Sequence, residues 1–189
     1  MHPTGVFRLA PCPALAVLLF VLASVSPPDA QAISSRTLFT PTGAVAGDDL
    51  GNSVAGAGDV NGDGYGDVIV GAYYNDAGGT DAGRAYVYYG GAGADAVAGL
   101  TLTGAAAYDA FGFSVAGVGD VNGDGYGDVI VGAYHNDAGG TDAGRAYVHF
   151  GGPGADAVAD LTLTGAAAYD QFGYSAAGAG DINGGGYDD

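Results

Sequence analysis

The amino-acid sequence predicts an all-β fold, a partial β-propeller of four-stranded antiparallel blades with metal loops between strands one and two, and three observations carry that expectation. A 61-residue unit repeats: Asp48 to Tyr108 aligns with Asp109 to Tyr169 without a gap and with nine differences, and a third copy runs from Asp170 to Asp189. Each full unit contains four short runs of apolar, β-branched or aromatic residues bounded by glycine and aspartate. The composition disfavours helix, with 38 glycines, 13 tyrosines, no tryptophan, and 21 acids that are all aspartate, the acid that suits turns and forms helices poorly. A period of this length belongs to arrays in which each unit buries its faces against its neighbours.

In chain order, residues 1–32 read as an export signal. Arg8 precedes an apolar run from Ala14 to Val25, and Ala30, Gln31 and Ala32 supply the small-x-small pattern of a signal peptidase, so the mature chain is expected to begin at Ile33. The run of about 12 residues is well short of the roughly 20 that span a bilayer, and no membrane span is expected after cleavage. Cys12 falls inside the signal, with Pro11 where a lipoprotein signal wants a small residue, so the exported chain has to be held without disulfides. A lead-in over 33–46 is followed by repeat one at 47–108, repeat two at 109–169 and a truncated repeat three at 170–189.

Four arginines, no lysine and a net charge of −17 repel phosphates and anionic headgroups, which excludes nucleic acid as a partner unless a metal bridges the two. Within repeat two the expected strands are Phe113 to Val118, Asp128 to Ala133, Ala146 to Phe150 and Leu161 to Thr164. The second is apolar on both faces, as a strand between two neighbouring sheets should be. Four strands make one blade. A two-sheet sandwich is the alternative, but sandwiches rarely repeat their sequence this closely.

Between strands one and two stands Asp59-Val60-Asn61-Gly62-Asp63-Gly64-Tyr65-Gly66-Asp67, and again Asp120-Val121-Asn122-Gly123-Asp124-Gly125-Tyr126-Gly127-Asp128. Side-chain oxygens at positions 1, 3, 5 and 9 and a backbone carbonyl at position 7 offer a hard cation an all-oxygen shell. The candidate ligands are Asp59, Asn61, Asp63, Tyr65 and Asp67, then Asp120, Asn122, Asp124, Tyr126 and Asp128. Calcium (Ca2+) is the expected occupant, since magnesium demands a stricter octahedron and softer metals want imidazole or thiolate. Carboxylates about 4 Å apart repel by roughly 4 kcal/mol per pair at an effective dielectric near 20, a penalty that a divalent ion removes. The alternative is that these aspartates only form Asx turns. In the third loop Gly185 replaces the acid at position 5, leaving Asp181, Asn183, Tyr187 and Asp189 as an incomplete site. An EF-hand would need an acid at position 12, where Val70 and Val131 stand, and a helix where a strand follows.

With these loops the chain resembles the FG-GAP repeat of integrin-α propellers. Phe111-Gly112 supplies the first signature and Gly132-Ala133-Tyr134 stands where the family has Gly-Ala-Pro. The first copy reads Leu50-Gly51 and Gly71-Ala72-Tyr73, and the third keeps Phe172-Gly173. The resemblance implies calcium on one face of a propeller and an extracellular protein or glycan ligand on the other, in a non-catalytic adhesion or recognition module, secreted or at the cell surface. Strand parity also puts the loops after strand two on the face opposite the metal. Candidate ligand-face residues there are Tyr73, Tyr74, Asp76, Tyr108, Tyr134, Asp137 and Tyr169, with plain solvated turns as the alternative.

Other function classes find less support. His135 and His149 stand where repeat one has Tyr74 and Tyr88, which favours packing or surface roles over catalysis. The remaining alternatives are a non-catalytic part of a secreted hydrolase and a structural cell-surface array. Arg84 and Arg145 are expected to form local salt bridges with Asp81 and Asp142. Because propellers close with about four to eight blades, the remaining blades are expected to lie outside this chain.

Overall fold

Residues 40–43 and 45–189 are described by a computed structural model. The export signal and most of the lead-in therefore lie outside the described residues. The rest forms eight strands: β1 (Val54–Gly58), β2 (Asp67–Ala72), β3 (Arg84–Tyr88), β4 (Leu100–Thr103), β5 (Ser114–Gly119), β6 (Asp128–Ala133), β7 (Arg145–His149) and β8 (Leu161–Thr164). They pair into two antiparallel sheets in the orders β1-β2-β3-β4 and β5-β6-β7-β8. These are two adjacent blades, and the expected strands agree with β5 to β8 to within one residue at each end. Among the described residues no helix is long and apolar enough to cross a membrane.

β2 and β6 share the sequence Asp-Val-Ile-Val-Gly-Ala, alternating around a strand that is covered on both sides. In blade one the pairs Ile69 with Val87, Ala85 with Leu102 and Val87 with Leu100 set one apolar face. That face meets Val115, Val129, Val131 and Ala133 of blade two, and Phe111 closes the seam from the connection between the blades. Burial of Ile69 and Leu102 is complete, and each such side chain contributes about 1.5–3 kcal/mol of transfer free energy.

The glycines of the two signatures abut one another. A Cβ at Gly71, at the end of β2, would run into the carbonyl oxygen of Gly112, and one at Gly112 would run into that of Arg84. Gly112 also needs its φ of 88°, which is costly for residues with a side chain. The Gly112 N–H then donates to the Gly132 carbonyl at 3.0 Å. Backbone thus packs on backbone where the chain passes from one blade to the next, which fixes the loops at both ends of the strands.

Candidate functional site: aspartate loops at one end, aromatic rings at the other

The β1–β2 loop is organised by its own carboxylates. Asp59 Oδ1 accepts from the N–H groups of Gly62 at 2.8 Å and Asp63 at 3.0 Å, and its Oδ2 accepts from Gly64 at 2.8 Å. Asn61 is held at both ends of its carboxamide by Asp63, whose N–H donates to Oδ1 at 3.0 Å and whose Oδ2 accepts from Nδ2 at 3.1 Å. Asp63 Oδ1 accepts from the Tyr65 N–H at 2.9 Å. Asp67 opens β2 from beneath the loop, accepting from Val60 N–H and Gly90 N–H, each at 2.8 Å. Asp120, Asn122, Asp124 and Asp128 repeat this pattern in the β5–β6 loop. The aspartates and asparagine of each loop are therefore tied together by hydrogen bonds within one short turn.

Asp67 and Asp128 are buried. Desolvation pushes both carboxyl groups above the usual carboxylate range, and repulsion from Asp63 and Asp124 adds to it, while backbone N–H donors pull the other way. Among the described residues the one ion pair joins His135 to Asp142, so no cationic side chain compensates these carboxylates. The donor set, all oxygen with buried and uncompensated negative charge, fits a hard cation. Among the described residues, no three acidic or histidine side chains already converge as a finished metal cage. In the third loop Asp181 accepts from Gly185 at 3.0 Å and Gly186 at 2.8 Å, and these backbone donors hold its exposed carboxyl below the usual range. Asp189 accepts from Ile182 N–H at 3.0 Å and from Asn183 Nδ2 at 2.8 Å.

The position-7 tyrosines also reach across the boundary between repeats. A Cβ at Gly62 would collide with the ring of Tyr126, and one at Gly123 with the ring of Tyr187, so each ring lies across the loop of the preceding repeat. Single-repeat reading misses this, because the partner lies 64 residues earlier in the chain.

At the opposite end of the strands the rings form a continuous series. Tyr73 lies 4.0 Å from Tyr74 and 5.3 Å from Phe113, Phe113 lies 4.4 Å from Tyr134 and 5.0 Å from Tyr174, and Tyr134 lies 3.9 Å from His135 (centroid distances). Phe113, Tyr174 and His135 were absent from the expected ligand face. The available signal was the position after each Phe-Gly or Leu-Gly pair, which holds Asn52, Phe113 and Tyr174 in turn. Tyr108 and Tyr169 are 63% and 71% exposed. Their N–H groups donate to the Thr80 and Thr141 carbonyls at 2.7 and 2.8 Å, which joins the inter-blade connection to the loop after strand two. Asp76 and Asp137 brace those loops by accepting from Asp81 N–H and Asp142 N–H.

One expectation is overturned. Arg84 and Arg145 do not pair with Asp81 and Asp142: their Nε groups donate to Thr103 at 3.0 Å and Thr164 at 3.1 Å. Strand register decides this, since Arg84 stands opposite Thr103 and Arg145 opposite Thr164. Asp142 instead lies 2.8 Å from His135 Nδ1. His149 is buried in the seam, edge-on to Phe111 at 6.4 Å, and neither ring nitrogen has a hydrogen-bond partner.

Two four-stranded blades joined glycine to glycine, each with an aspartate loop between its first two strands, define a propeller-type repeat protein. Residues 50–88 and 111–149 match the FG-GAP repeat, so the chain carries FG-GAP repeats. It is homologous to integrin α chains over most of its length. It is 34% identical to Integrin alpha-5 of Xenopus laevis over 164 residues, covering 82% of this chain and 15% of that protein. It is 45% identical to Integrin alpha pat-2 of Caenorhabditis briggsae over 102 residues, 48% of this chain and 8% of that protein. With human Integrin alpha-6 it shares 35% identity over 134 residues, 69% of this chain and 11% of that protein. The chain thus spans a small part of the length of these relatives.

Proposed function

We propose that this chain is an exported, calcium-binding FG-GAP module that recognises an extracellular protein or glycan and performs no catalysis. Calcium occupies the β1–β2 and β5–β6 loops, held by Asp59, Asn61, Asp63, Asp67 and the Tyr65 carbonyl, and by their counterparts Asp120, Asn122, Asp124, Asp128 and Tyr126. The observation that carries this reading is the buried carboxylate of Asp67 and of Asp128, which sits beneath an all-oxygen loop with no cationic side chain among the described residues to balance it. The bound ion ties strand one to strand two, the role a disulfide would fill in a chain with cysteine after its signal. At the other end, the ring series from Tyr73 to Tyr174 supplies the aromatic area that recognition surfaces favour. The integrin α homology supports an adhesion role, a place at the cell surface or in the medium, and further blades as partners.

Calorimetric titration with calcium, with thermal unfolding in parallel, tests this. Two sites with affinities of roughly 0.1–1 mM and a melting temperature that rises with calcium are expected. Both effects should vanish in Asp63→Ala/Asp124→Ala. Heat and melting indifferent to calcium would reduce the loops to ordinary Asx turns.

A further inference from the structure

The two aspartate loops are joined across the blade boundary by contacts that neither blade makes alone. The Gly127 N–H, at position 8 of the β5–β6 loop, donates to the Asp59 carbonyl at 2.9 Å, and the Gly152 N–H donates to the Val60 carbonyl at 2.7 Å. The Tyr126 ring is wedged beside them. A Cβ at Gly62 would strike one edge of that ring, and a Cβ at Gly152 would meet the opposite edge at 3.0 Å. Tyr187 stands in the same way against Gly123, and the Asp188 N–H donates to the Asp120 carbonyl at 3.1 Å, so the seat recurs where the third loop meets the second.

These contacts lie on a continuous path between the two buried carboxylates. Asp128 Oδ1 accepts from the Gly151 N–H at 2.9 Å. The adjoining Gly152 bonds the Val60 carbonyl, and the Val60 N–H donates to Asp67 Oδ2 at 2.8 Å. Val60 is buried, so a broken link there leaves a polar group with no water to replace its partner.

An aspartate loop without a cation is pushed open by its own carboxylates. Opening the β1–β2 loop withdraws Asp59 and Val60 from Gly127 and Gly152, and opening the β5–β6 loop withdraws Tyr126 and Gly127 from their seat. Closing either loop therefore lowers the ordering cost of the other. Resting on the calcium reading proposed above, we infer that the two loops take up calcium as a cooperative pair, and that Tyr126 is the positioning residue that couples them. Such coupling is reciprocal, each occupied loop raising affinity at the other by the same factor. The charge of an ion in one loop works against entry into the other, but salt screens that field over about 8 Å, and the contact through the Tyr126 ring carries no charge.

Calcium titration calorimetry of the intact chain in about 0.15 M salt, where surface charges are well screened, tests the coupling. Asp63→Ala leaves the β5–β6 loop to be titrated alone, and Asp124→Ala the β1–β2 loop. The product of the two association constants in the unsubstituted chain is expected to exceed the product of the two single-loop constants about tenfold. Tyr126→Ala, which keeps the backbone carbonyl and every charge, should bring that ratio close to one, and Tyr126→Phe, which keeps the ring, should retain it. A second readout needs no metal. In calcium-free buffer Tyr126→Ala should speed hydrogen exchange at Gly62, Asp63 and Gly64, whose N–H groups donate to Asp59, by about tenfold. Unchanged protection in β6 and β7 shows that blade two remains folded. Independent sites in the unsubstituted chain, or a ratio that survives Tyr126→Ala, would overturn the coupling and leave the calcium reading standing. No heat of calcium binding in the unsubstituted chain would overturn that reading and the coupling with it.

Discussion

Blades one and two differ at nine of 61 positions, yet equivalent leucines sit in opposite environments. Leu100 and Leu102 are 9% and 0% exposed, while Leu161 and Leu163 are 45% and 47% exposed. The residues and their register are the same, so burial here is conferred by the neighbouring blade and not by the strand's own sequence. The largest expected effect follows directly: Leu102→Ala should cost about 2–5 kcal/mol, and Leu163→Ala within about 0.5 kcal/mol of zero. Urea denaturation of the two variants measures the gap. Equal losses would mean that the seam contributes little to the folded state.

The next effect separates the blades by pH. His149 stands in the seam at the strand position that Tyr88 holds on the other face of blade one, and burial holds its pKa below the ordinary 6.5, although Asp160, the Val158 backbone and Asp156 favour the charged ring. A depressed histidine pKa means that the unfolded chain takes up the proton first. Stability attributable to this residue is therefore present above about pH 6.5 and declines as pH falls below it, by at most about 1.4 kcal/mol per pH unit. His149→Tyr, which restores the blade-one residue, should flatten that decline when melting is followed between neutral and mildly acidic pH. An unchanged slope would assign the acid sensitivity to the aspartates.

The smallest effect concerns the arginine–threonine bonds. The Arg84–Thr103 bond is partly buried and the Arg145–Thr164 bond exposed, so Thr103→Val should cost about 1 kcal/mol and Thr164→Val less. Equal costs in denaturant titrations would show that the open face of blade two is as well shielded as the closed one.

These contrasts also mark what the sequence could reveal. The strands were legible because Val129, Ile130 and Val131 form a run bounded by Asp128 and Gly132, and the position of the aspartate loops between strands one and two because their spacing recurs. Contacts made between repeats were not legible. The ring of Tyr126 reaches Gly62 and Phe113 reaches Tyr73 across a blade boundary, where periodicity within one unit carries no information. The arginines misled for a related reason. Asp81 is three positions from Arg84 in the chain, but the ladder aims the guanidinium at Thr103.

The identity of β2 and β6 has a consequence for the order of folding. β3 has two chemically equal partners, so hydrogen-bond energy cannot tell the correct pairing from a crossed one. Distance along the chain can: β3 is separated from β2 by residues 73–83 and from β6 by residues 89–127. The shorter loop closes at a lower entropic cost. It is also pre-bent by bonds from Gly83 N–H to the Asn75 carbonyl and from Asp81 N–H to Asp76. Each hairpin thus forms ahead of the seam, and those polar turns select, by speed, the pairing that energy alone leaves undecided.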